Sequence, residues 1–141
     1  MKKQYILYTV LSIVFITLIV AFILYSFPKT FLEDVTADDV ASISVFCGSS
    51  GKCFTVSNTD EIEYIVGNIQ HTPMKRAHIS TGYDGFSFQL TFKDSNGNTI
   101  DSFMINNDTT VRDDPFFWRS DGGLCFAYLQ ELESNYTSNE E

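Results

Sequence analysis

The chain has 141 residues, of which 44% are hydrophobic, 15% aromatic and 19% charged. That is enough for one domain of ordinary size and too apolar for wholesale disorder. Nine Lys and Arg against eighteen Asp and Glu give a formal net charge of −9, so the basic footprint that a nucleic-acid binder needs to displace counterions is missing.

The averages conceal a sharp division. Tyr5 to Phe27 reads YILYTVLSIVFITLIVAFILYSF, 23 residues without a charge. As a helix it would extend about 34 Å, against about 30 Å for the hydrocarbon core of a bilayer. Tyr5, Tyr8, Tyr25 and Phe27 fall near its ends, where aromatic rings favour the headgroup region. Thr9, Ser12, Thr17 and Ser26 define no wet face. Lys2 and Lys3 precede the run, and Glu33, Asp34, Asp38 and Asp39 follow soon after it. The positive-inside rule then predicts a single-pass cell-membrane protein with a cytoplasmic N-terminus and the remainder outside. A cleaved signal peptide would have a shorter apolar run and a small-x-small site, which Phe-Ile-Leu-Tyr-Ser-Phe-Pro lacks.

Residues 1–27 are therefore expected to be a stub and an anchor, spanning the lipid bilayer through residues 5–27. Without Lys2 and Lys3 the rest holds seven basic and eighteen acidic residues, a net −11 that should stand off anionic lipid. Residues 28–40 read as a polar neck, 41–134 as the domain and 135–141 as a frayed acidic tail.

Within the domain, Ser42–Cys47 and Cys53–Ser57 flank Gly-Ser-Ser-Gly-Lys as a strand–turn–strand. Asn58-Thr-Asp-Glu61 resembles a capping box, and Ile62, Ile65, Val66 and Ile69 follow at i, i+3, i+4, i+7. Pro73 closes that helix, and a further strand fits around Lys75–Ser80. Phe86-Ser-Phe-Gln-Leu-Thr-Phe alternates strictly, as a strand with one buried face does. A two-residue turn on Asn96-Gly97 would set Leu90 opposite Phe103 and Phe88 opposite Ile105, with Thr91–Ser102 and Gln89–Met104 on the other face. Val111–Trp118 reads as a strand broken near Pro115. Ser120 or Asp121 can cap a last helix with Cys125, Tyr128, Leu129 and Leu132 as its stripe. The predicted class is α+β: the N-terminal transmembrane helix, then a small antiparallel sheet with two helices on one face.

Candidate chemistry is sparse. A Cys47–Cys53 disulfide fits an oxidising compartment if the two residues are directly opposed in the first hairpin. A register centred on Ser49-Ser50 competes with it, pairing Val45 with Phe54 and Ile43 with Val56 and sending the two thiols to opposite faces. Cys125 falls on an apolar stripe, as a buried inert thiol would. His71 and His78 are the only histidines, and no motif joins them to a cysteine nucleophile or a zinc site. Asp94-Ser-Asn96-Gly-Asn98 lacks the Gly and Glu positions of a calcium loop and reads as a turn. Asp113, Asp114 and Asp121 read as solvated loop carboxylates.

Phe116-Phe117-Trp118 beside Arg119 is the most suggestive stretch. Successive residues of a strand face opposite ways, so either the strand is covered on both sides or an aromatic is left exposed for a partner. Two of the three rings are expected in the core.

The pattern DVASISV…GKCFTVSNTDEIEYIV…FQLTFKDSNGNTIDSFMI…LCFAYLQEL, with the charged start and single anchor, resembles small Firmicutes membrane-anchored proteins with YhfM-like extracytoplasmic domains of unknown function. That resemblance carries no catalytic residues, and the residues themselves predict no cofactor or metal. The sequence thus predicts a non-enzymatic binding or assembly module engaging another envelope protein, with a sensory ectodomain for a small ligand or peptide, or an immunity-type protein, as alternatives.

Overall fold

The structure, a computed structural model, describes residues 2–138. It opens with α1 (Lys2–Ser26), long and apolar enough to cross a membrane over Gln4–Ile23 and packed against nothing along that window. The hydroxyls of Thr9, Thr17 and Ser26 donate to the carbonyls of Tyr5, Ile13 and Phe22 at 2.8–2.9 Å. These three hydroxyls are thereby satisfied within the helix itself.

Seven strands and two helices follow: β1 (Ser42–Cys47), β2 (Cys53–Val56), α2 (Thr59–Gln70), β3 (Met74–Ile79), β4 (Phe88–Lys93), β5 (Thr99–Asn107), β6 (Thr110–Asp113), β7 (Phe116–Ser120) and α3 (Phe126–Ser138). All strands join one antiparallel sheet in the order β2-β1-β4-β5-β6-β7-β3. The fold is α+β, as predicted. One face carries Ile43, Val45, Leu90, Phe92, Phe103 and Ile105, all buried. The apolar stripes of α2 (Ile62, Ile65, Val66, Ile69) and α3 (Leu129, Leu132) close over it into one core.

Local chemistry explains the element ends. Asn58 Oδ1 accepts from the amides of Asp60 and Glu61 at 2.9 and 3.2 Å, capping α2. Glu61 accepts a 2.9 Å hydrogen bond from the Tyr136 hydroxyl on α3. The β4–β5 register matches the expected pairs, Leu90 with Phe103 and Phe88 with Ile105. Its turn differs. Only Gly97 has positive φ, at 83°, and Asp94 N donates to Asn98 O, so the loop is longer than two residues. Asp94 holds it by accepting from the amides of Asn96 and Asn98. Ile100 is then the extra residue between Lys93↔Thr99 and Phe92↔Asp101, and it returns the hairpin to the hydrophobic phase.

Four expectations need correction. The segment 28–40 is no free-standing neck: Lys29 pairs with Met74 on the sheet edge, and Phe31, Leu32 and Val40 are buried in the core. Leu32 has φ 60°, a conformation a branched side chain resists, held by its burial and by Gln70 Nε2 donating to the Leu32 carbonyl at 2.7 Å. The predicted tail is helical through Ser138, with Tyr136 stacked on Phe54 at 5.2 Å; residues 139–141 lie outside the described residues. The break near Pro115 is a hairpin turn pairing Asp113 with Phe116, so one predicted strand is two. The last helix starts at Phe126, because the Gly122-Gly123 pair stays outside it and Ser120 Oγ donates to Gly122 O instead of capping.

The β3–β4 connection, residues 80–87, straps the outer face of the sheet. Tyr83 lies on Phe117, Ser87 Oγ donates to Asn106 O, and Phe86 reaches Phe46. It passes so close to the β1 end that a Cβ on Gly48 would sit 2.2 Å from the Phe86 carbonyl oxygen.

Candidate interaction surface

β7 alternates as a strand must. Phe116 and Trp118 turn toward the helices, and Phe117 and Arg119 turn away. Trp118 is buried, its ring 5.9 Å from Phe31. Phe117 is also buried, under His78 at 4.7 Å and Tyr83 at 5.2 Å. Phe116 is half-buried, edge-on to Tyr25 and to Trp118 at 6.4 Å each. Arg119 is exposed, across from Lys75 and Thr110. The strand is therefore covered on both sides, and these four residues form no common contact face. What covers the second side is His78 on β3 together with Tyr83 on the 80–87 strap, whose path no periodicity in the sequence encodes.

The cysteine expectation is also corrected. The first hairpin adopts the register that pairs Val45 with Phe54 and Ile43 with Val56, because this sends one apolar face to the core. Cys53 then faces Phe46, and Cys47 faces Phe88 on β4. Cys47 is buried, Cys53 is exposed, and both are free, as is buried Cys125. Burial pushes the Cys47 thiol up to about 12, with the nearby Glu133 carboxylate adding to the shift. Burial likewise pushes Cys125 to about 12. Neither forms a thiolate near neutrality, so neither is a nucleophile there. A thiol titration of the folded protein at neutral pH should find one reactive group, Cys53, and denaturation should release all three. Two native thiols, or none, would contradict the register.

The remaining polar candidates are used singly. His71 Nδ1 lies 2.6 Å from the Gly67 carbonyl, and His78 is stacked on the outer face, with the sheet between it and Cys125. Asp113 pairs with Lys29 at 2.7 Å, Asp114 with Arg112 at 2.8 Å and Asp121 with Lys75 at 3.5 Å. Hydrogen bonds from Arg112, and then from Ser80, hold the Asp114 carboxyl below its usual range. Among the described residues no three His, Cys, Asp or Glu side chains are grouped to hold a metal.

A different surface emerges on the outer face of β2, β1 and β4. The outward positions of SISVFC, CFTV and the first part of FQLTFK are Ser, Phe, Cys, Thr and Gln, with no charge before Lys93. Ser44, Phe46, Cys53, Thr55, Gln89 and Thr91 line a depression of about 340 Å³ there. Thr91 and Ser102 share a 3.1 Å hydrogen bond beside it. β2 has a ladder partner on one side only, and none of its four residues is charged or proline. Those are the devices that usually blunt a sheet edge. The alternation of these strands carries the signal, but only as uncharged outward positions in a chain of net −9, which match no motif. The chain matches no family model, no curated protein and no solved structure.

Proposed function

We propose that the chain is a single-pass membrane protein anchored by α1, with its N-terminus cytoplasmic and its α+β domain outside the cell, where it is a binding or assembly module for another envelope protein. The observation that carries the binding role is the uncharged, solvent-facing surface of β1, β2 and β4 beside the open β2 edge. Hydroxyls and one amide there can hydrogen-bond a partner's main chain, and the edge can accept a strand. The depression presents hydroxyls, one amide and the Phe46 ring with no charged group, a lining suited to main-chain hydrogen bonding with a protein partner. The YhfM-like resemblance supports an extracytoplasmic domain of this kind.

The test is a photocrosslinking residue at Thr55 or Gln89, compared with one at exposed Glu63 on α2, in native membranes. A discrete adduct at the first two positions, absent at the third and abolished by Thr91→Glu, is expected. Equal or absent adducts at all three would overturn the reading.

A further inference from the structure

After Ser26 the chain turns straight into the sheet edge, where Lys29 N and O both bond to Met74. The pairing is antiparallel, so β3 runs from Met74 back along the direction from which α1 arrives. Contacts confirm the direction. The Arg76 guanidinium lies 4.3 Å from the Tyr25 ring centre, 4.4 Å from that of Phe116 and 5.0 Å from that of Trp118. Arg76 is thus level with the last turn of the apolar helix. Ile79, paired with Phe116, lies up to about 10 Å further in the same direction at the rise of a strand. Ile79 is 61% exposed and Tyr83, on the strap that follows, is 55% exposed.

At this corner the paired carboxylates leave one cation without a carboxylate partner among the described residues. Asp113 and Asp114 are paired with Lys29 and Arg112. Arg76 has no carboxylate partner among the described residues, and its buried Nε has no hydrogen-bond acceptor. A guanidinium flanked by rings, next to an exposed Ile and Tyr, is the composition of a surface that meets phospholipid. The cation can take a phosphate, and the apolar groups can enter the acyl boundary.

We infer that this corner of the domain is seated in the outer leaflet of the bilayer that α1 crosses, with Ile79 and Tyr83 dipping into the interface and Arg76 at the depth of the lipid phosphates. The inference rests on the reading of α1 as a membrane span. It replaces the expectation of an acidic domain standing off the membrane with one of fixed orientation, whose free β2 edge lies at the opposite side of the sheet.

Spin labels test it in the full chain in phosphatidylcholine nanodiscs. Cys53→Ser removes the exposed native thiol, and single cysteines are placed at Ile13, Ile79 and Asp108. Ile79 and Asp108 are exposed, so neither change costs core packing, and Asp108 lies at the strand ends away from Ile79. Labels at 13 and 79 should collide severalfold more with oxygen than with an aqueous nickel chelate, and the label at 108 should do the reverse. A label at 79 as accessible to nickel as that at 108, with 13 still protected, would overturn the seating alone. Nickel access at 13 would remove the anchor and the seating with it.

Discussion

Phe31→Ala should lower the unfolding free energy of the domain by about 3–5 kcal/mol. Phe31 is 1% exposed, its ring 4.9 Å from that of Phe103 and 5.9 Å from that of Trp118, with the Lys29 ammonium 4.2 Å above it. Removing it leaves a void between the sheet and the segment that enters from α1, and it strips a cation–π contact as well. Against a typical total of about 5–15 kcal/mol, that is a large share. The check is urea unfolding of the full chain in detergent, followed by the fluorescence of Trp118, the only tryptophan. If residues 28–40 were a polar tether, the change would stay within about 0.5 kcal/mol.

Leu90→Ala is the second large effect, at about 2–5 kcal/mol. Leu90 is fully buried on β4, between Val45 on one side and Phe103 on the other. Its neighbour Thr91 points to the outer face and shares one hydrogen bond with Ser102. Thr91→Ala should therefore cost no more than about 1 kcal/mol. Comparing the two denaturation midpoints reads the register directly, because a slip of one residue would exchange their effects.

That contrast also shows what was legible in advance. Strict alternation in FQLTFK and the i, i+3, i+4, i+7 stripe of α2 are local periodicities, so they marked the inner face correctly. The hairpin phase survived an error in turn length because the bulge at Ile100 restored it. Phe31 and Leu32 were hidden because thirteen residues of mixed polarity between two elements carry no period, and their burial depends on a surface built from distant strands. Phe117 was hidden for the same reason: its cover comes from Tyr83 and His78, across a loop. Of the candidate residues, two of the three aromatic rings are expected in the core; Phe117 and Trp118 are buried and Phe116 is half-buried, on a strand covered on both faces. The cysteine pair was decided by apolar packing, which outranked the chance of a bond. The uncharged face of β1, β2 and β4 was legible but only as an absence of charge, a weaker signal than a motif.

The anchored, outward-facing arrangement is the claim on which the rest depends, and Cys53 reports on it. In protoplasts of expressing cells, a membrane-impermeant maleimide should label the chain through this exposed thiol without lysis, and Cys53→Ser should abolish the labelling because Cys47 and Cys125 are buried. Labelling that appears only after lysis would place the domain on the cytoplasmic side and contradict the account.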